Sequence, residues 1–193
     1  MPTISRESLL TLEAYARQRE EFRARVLAHK RHRTVHIGAN VTLIFEDELT
    51  VRYQIQEMLR IERTFDEQGI RAELEAYTPL IPDGTNLKAT MMIEFEDPEE
   101  RKIELERLKG IERRVYLQAG ATRIFAIADE DLERENEKKT SAVHFLRFEF
   151  DAAAVVALRA GSPMAAGIDH SIYSARIDAL PREVVTALLR DFV

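Results

Sequence analysis

Cysteine is absent from this chain of 193 residues, and that one gap closes several routes to function. Disulfides, cysteine-ligated zinc, thiolate nucleophiles and an iron–sulfur cluster of the protein's own are all excluded. No apolar run approaches the roughly 20 residues that span a bilayer, so membrane insertion is not expected. The opening residues, Met1-Pro2-Thr3-Ile4-Ser5-Arg6-Glu7, lack the apolar centre of a secretory signal, which makes the cytoplasm the expected compartment. Neither Gly-x-x-x-x-Gly-Lys-Ser nor Gly-x-Gly-x-x-Gly occurs, which disfavours P-loop and Rossmann cofactor use. No nucleophile elbow frames a serine.

What is present describes an ordinary globular chain, with 45% hydrophobic residues, 32% charged residues and a net charge of −6. The length suits a single domain, 1–193, with a real core and a helical N-terminal part at about 5–33. Five histidines and 34 acidic residues keep a divalent metal (iron, manganese or zinc) open as cofactor. The acidic balance argues against nucleic acid as a partner.

Ser5 caps a first helix from Arg6, and the apolar residues predict two helices, 6–17 and 20–31, with a bend near Arg19. Residues 34–37 and 41–46 flank Gly38-Ala39-Asn40 as a hairpin. A helix follows over 48–66; Gly69 then breaks the chain before a short helix through Tyr77. Thr78 to Asn86 is a Pro- and Gly-punctuated loop. Leu87, Ala89, Met91, Ile93 and Phe95 alternate with polar or exposed positions as the clearest strand. Asp97-Pro98-Glu99-Glu100 starts a helix that Gly110 ends. A second hairpin spans 113–118 and 122–127. An exposed acid-rich helix over 129–139 and a strand over 141–150 follow. Asp151 caps a helix ending at Gly161; short strands near Ile168 and Ile177 precede a last helix from Pro181. Mixed order with hairpins predicts an α+β fold with a mostly antiparallel sheet.

Glu62 is the sharpest chemical clue. At about 100° per residue it falls within about 20° of Val51, on the face of Ile55, Met58 and Phe65. A carboxylate there needs a partner, a metal or a proton, so Glu62 is expected to be largely buried. His144 shares a strand face with Leu146, Phe148 and Phe150, as a ligand or general base or as a hydrogen-bonded core histidine. Arg147, on the opposite face, is an alternative mate for Glu62. Tyr53, Gln54 and Glu57 border the Glu62 stripe, and Pro82, Asp83 and Asn86 lie in the loop expected to close a pocket over Glu62 and His144. Glu57 and Glu62 are about 140° apart and do not chelate one ion, and no Glu-x-x-His motif flanks them.

Residues 15–36 hold Arg17, Arg19, Arg23, Arg25, Lys30, Arg31 and Arg33 against Glu20 and Glu21. This basic stretch is read as an interaction surface; RNA is the third-ranked reading, because only Tyr15 and Phe22 offer stacking. Residues 129–139 lack the glycine turn of a calcium loop and read as a solvated or partner-docking face.

Several segments together resemble a bacterial family known as domain of unknown function 3501. They are Leu12-Glu13-Ala14-Tyr15-Ala16-Arg17, Phe22-Arg23-Ala24-Arg25-Val26, Phe45-Glu46-Asp47 and Tyr53-Gln54-Ile55-Gln56-Glu57-Met58-Leu59-Arg60. Further along come Leu80 to Asn86, Ala128 to Asn136 and Val143-His144-Phe145-Leu146-Arg147-Phe148. The family has no established activity, so the resemblance carries over no cofactor and no catalytic residue. It implies only a gene context, beside a rubrerythrin and an iron–sulfur oxidoreductase subunit, pointing to peroxide defence, iron handling or electron transfer. The first expectation is therefore an accessory protein docking to such partners, with self-association left open. The second is a small metal- or ligand-binding enzyme using Glu62 and His144.

Overall fold

An aspartate before a helix satisfies backbone N–H groups that would otherwise lack acceptors. The structure, a computed structural model, describes residues 4–128 and 139–193. Asp47 accepts from Thr50 N at the head of α2 (Glu48–Glu62), and Asp66 from Gly69 N at α3 (Glu67–Tyr77). Asp97 caps α4 (Pro98–Arg107) and Asp151 caps α5 (Ala152–Arg159) in the same way. Thr11 caps α1 (Leu12–Lys30), and α6 (Arg182–Leu188) follows Pro181. Two expectations are corrected here. One turn at Arg6–Ser8 precedes a single helix that runs straight through Arg19, so the pair of helices with a bend does not form. Gly69 lies inside the first turn of α3, its N–H held by Asp66, and does not interrupt the chain.

The strands form two sheets in which every described pairing is antiparallel. The first runs β1 (Thr34–Ile37), β2 (Val41–Phe45), β3 (Asn86–Ile93), β7 (Val143–Glu149), β6 (Ile127–Ala128) in spatial order. In the second, the order is β5 (Thr122–Phe125), β4 (Val115–Ala119), β8 (Met164–Asp169), β9 (Ser174–Ile177). Alternation sends Leu87, Ala89, Met91 and Ile93 inward from the first sheet, and Val115, Leu117, Met164, Ala166 and Ile168 inward from the second. Both sets join one apolar core, with Leu105, Leu158 and Leu188 from the helices. The fold is α+β.

Two close approaches register the sheets. The chain passes from one to the other at Ala126, whose N–H donates to Val115 O at 2.9 Å between β5 and β6. Tyr173 then ties the β8–β9 turn to the first hairpin: its hydroxyl donates to Ile37 O at 2.7 Å and accepts from Asn40 N at 3.0 Å. On the outer face of the second sheet the Tyr116 ring lies directly over Gly167, where any Cβ would collide with it.

A smaller apolar cluster lies elsewhere. Val51, Ile55 and Leu59, at helical spacing on α2, pack with Ile4, Leu9 and Ile70. The expected exposed helix over 129–139 falls, except for Lys139, outside the described residues. Among the described residues no helix is long and apolar enough to cross a membrane.

Candidate functional site

Glu62 is exposed, which overturns the expectation of a buried carboxylate. It is the last residue of α2, followed by Arg63 in the left-handed conformation (φ 55°). The apolar stripe is real as far as Leu59, but the helix then outruns the groups that cover it, and Phe65 is 80% exposed. The charge of Glu62 is felt at Glu73, whose carboxyl is pushed up first by burial and then by Glu62.

His144 is wholly buried on the inner face of β7. Its Nε2 lies 2.8 Å from Thr140 Oγ1 and 3.1 Å from Ser141 O, and 3.9 Å from Glu112 Oε2. Thr140 Oγ1 donates to Glu112 Oε2 at 3.3 Å, and the Ser141 carbonyl can only accept, so this network assigns the proton to Nε2. No described hydrogen bond or ion pair joins His144 to Glu62.

The loop does not close over His144 either. Leu80 and Ile81 pack against the smaller cluster, with α2 and α3. Asp83, Asn86, Arg147 and Glu149 do come together: Asn86 Nδ2 donates to Asp83 Oδ2 at 2.7 Å and to Glu149 Oε1 at 3.2 Å, and Arg147 pairs with Glu149. Partial burial alone would raise Asp83, yet the Thr85 N–H and hydroxyl and the Asn86 amide hold it below its usual range. Gln54 is exposed, Pro82 half-buried, and Tyr53 meets Phe22 edge-on at 5.9 Å.

The buried acid of α2 is Glu57. Arg19 grips it through Nε at 2.7 Å and Nη2 at 2.9 Å, Tyr15 donates to it at 2.7 Å, and Arg60 Nη2 at 3.1 Å. The Arg19 hydrogen bond, against the opposing effect of burial, holds the Glu57 carboxyl down at about 2; burial and Glu57 together push the Tyr15 hydroxyl up. Arg19 therefore belongs to the α1–α2 contact and not to a free basic surface. Arg33 is corrected more strongly still, being 1% exposed. Arg17, Arg23, Arg25 and Arg31 remain exposed and Lys30 half-exposed.

Around Arg33 the sequence reading missed a site. A cleft of about 530 Å³ is lined by His29, His32 and Arg33 from the end of α1, by Asp47, and by Arg182, Glu183, Thr186, Ala187, Arg190 and Asp191. On its floor Arg33 donates through Nε to Phe45 O (2.9 Å), through Nη2 to Glu46 O (3.0 Å) and through Nη1 to Ala187 O (3.3 Å). Its Nη2 also pairs with Asp191, and Nη1 stands 3.5 Å from Asp47 Oδ2. The same Asp47 oxygen receives His29 Nε2 at 2.5 Å, while its other oxygen caps α2. Burial pushes the Asp191 carboxyl above its ordinary range, with Asp47 adding to the rise and Arg33 and His29 opposing it. Arg182, Arg190 and His32 line the cleft with side chains that no described carboxylate pairs. The signal was present in sequence as His29-x-x-His32-Arg33, one face of a helix end, and as 182, 183, 186, 187 and 190, one face of another. Among the described residues, the cleft included, no three His, Asp or Glu side chains gather as metal ligands.

Comparison with known proteins follows the whole length. The model of the family described as "Protein of unknown function (DUF3501)" matches residues 3–192. The chain belongs to that family. It is also similar to a crystal structure of a novel protein of unknown function from Burkholderia pseudomallei K96243, at 54% identity, with 100% of each chain covered and a TM-score of 0.93. No curated protein matches. These relatives are themselves described as of unknown function, so the peroxide-defence and iron-handling context gains no support from them.

Proposed function

We propose that the cleft over Arg33 binds a small anionic ligand and exchanges a proton with it. The observation that carries this reading is a charge shortfall beneath an open cationic rim. One buried guanidinium, Arg33, faces two carboxylates, Asp47 and Asp191, and His29 stands against Asp47. Two such carboxylates against one cation favour holding an extra proton on Asp191. Asp191 keeps its proton to higher pH than an ordinary aspartate, as its burial requires. The His29–Asp47 contact fixes the imidazole by Nε2 and leaves Nδ1 to meet a ligand, the arrangement a general acid–base group needs. Arg182, Arg190 and His32 supply attraction for an anion.

Calorimetric titration with inorganic phosphate, in two buffers of different ionisation enthalpy, tests both halves. Binding with a Kd of about 1 mM or tighter is expected, with a buffer-dependent heat that reports proton exchange. Arg190→Gln should weaken binding about tenfold, and His29→Gln should reduce the proton exchanged while leaving the far-UV spectrum unchanged. Absence of phosphate binding in the folded protein would sink the reading.

A second reading rests on α1. Only Tyr15 and Val26 of its nineteen residues are buried, and Arg17, Arg23 and Arg25 on it, with Arg31 just past its end, are exposed on a chain of net −6. Such a face suits an acidic protein partner more than nucleic acid, because Arg25 already covers the Phe22 ring at 4.8 Å and leaves little to stack bases on. Gel-shift titration with mixed RNA and DNA at physiological salt should show only weak, salt-labile association. Submicromolar binding that survives added salt would replace this reading with an RNA one.

A further inference from the structure

From the spacing of the two unpaired rim arginines we infer that the cleft's ligand is a small molecule with two anionic groups, one held by Arg182 and the other by Arg190. This inference rests on the proposal that the cleft is an anion site and adds the class of anion. Arg182, Glu183, Thr186, Ala187 and Arg190 all line the cleft, and their spacing places them on one face of α6 and the turn that continues it through Asp191. One wall of the cleft is thus a single helical stripe. At 1.5 Å per residue, the eight steps from Arg182 to Arg190 separate the two backbone positions by about 12 Å. Between Glu183 and Arg190 the stripe is neutral, with Thr186 and Ala187.

The floor fixes a direction. Arg33 donates to Ala187 O and pairs with Asp191, so the proton-bearing floor lies at the Arg190 end. Arg182 is about two turns away from that chemistry and contributes binding alone. Glu183, next to Arg182 on the same wall, weakens the hold on an anionic group there, so Arg190 is the stronger of the two ends. A single phosphate satisfies one arginine and leaves the other unused. A ligand with two anionic ends satisfies both and lays its middle along Thr186 and Ala187. A cleft of about 530 Å³ is in the range of pockets that enclose small-molecule ligands.

The test is a length series. Acetate, inorganic phosphate and the dicarboxylates from malonate to pimelate are titrated by calorimetry into the full chain at constant ionic strength. Affinity is expected to rise with chain length to a maximum at least tenfold above acetate. Arg182→Gln should flatten the length dependence while phosphate binding persists, because the Arg190 end is intact; Arg190→Gln should weaken phosphate and dicarboxylates alike. Both arginines are solvent-exposed, so neither variant threatens the fold. A flat series alongside intact phosphate binding overturns the two-anion inference and leaves the anion site standing. Failure of every probe, phosphate included, overturns both.

Discussion

Replacing Arg33 by alanine is expected to lower the unfolding free energy by about 3–5 kcal/mol, the range found when one partner of a buried ion pair is removed. Against a typical total of about 5–15 kcal/mol, that is a large fraction. The cost has three sources. Asp191, 8% exposed at its side chain, loses the cation that holds it. The carbonyls of Phe45, Glu46 and Ala187 lose their donor, the Phe45 bond being fully buried and the other two partly so. The join between α1, the β2–α2 corner and α6 comes apart, because this one side chain bonds to all three. Arg33→Lys should recover little, since a single ammonium cannot reproduce a fork aimed at carbonyls and carboxylates in different directions. The double variant Arg33→Met with Asp191→Asn should be more stable than Arg33→Ala, because no unpaired charge stays buried. Chemical denaturation measures all three. A loss under about 1 kcal/mol for Arg33→Ala would mean that Asp191 finds water or a proton without difficulty.

Arg33 also shows where sequence reading stops. It looked like one member of a basic run, because charge counts along a chain do not register which side chains turn inward. The helix starts were legible, since Asp47, Asp97 and Asp151 each sit before a run that needs a cap, and a cap is local chemistry. The hairpins at Gly38 to Asn40 and Ala119 to Ala121 were legible for the same reason. Strand alternation identified the inner face of β3 and placed His144 among core residues.

Misreadings arose wherever a polar residue occupies an inward position because a distant partner neutralises it. The contact face of α1 is Tyr15, Arg19, Phe22 and Val26, but Arg19 breaks its apolar pattern, so one helix has the sequence pattern of two. On α2 the wheel assumed one buried face. The helix has two, one toward Ile4, Leu9 and Ile70, and one toward α1 that takes Glu57. Glu62 lies on the correct stripe but past the end of its cover, and no local pattern states where cover ends. The cleft was invisible for a further reason: its walls come from residues 29–33 and 182–191, which only the tertiary fold brings together.

Glu57 makes the second large effect measurable as a function of pH. Its carboxyl is held at about 2 rather than at the ordinary 4.5, first by the Arg19 hydrogen bond, against the opposing effect of burial, and then by Arg60 and Tyr15. The folded state therefore binds a proton at Glu57 less readily than the unfolded chain does. Stability from this group is fully present above about 4.5 and is lost as the pH falls toward 2. Since Arg19 and Arg60 are partly open to solvent, with side chains 36% and 38% exposed, screening reduces the stabilisation to about 2 kcal/mol. Glu57→Gln should cost about that much near neutral pH, and Glu57→Ala about 3 kcal/mol, because the buried Tyr15 hydroxyl then also loses its acceptor. The gap between wild type and Glu57→Gln should close as the pH is lowered from 4.5 to 2, whereas Glu57→Ala should remain the less stable protein throughout. Urea unfolding across that pH range supplies the measurement. A wild-type-to-Gln difference that stays constant down to the lowest pH would show that the pairing with Arg19 does not stabilise the fold through charge, and that α1 is held to α2 by Tyr15, Phe22 and Val26 alone.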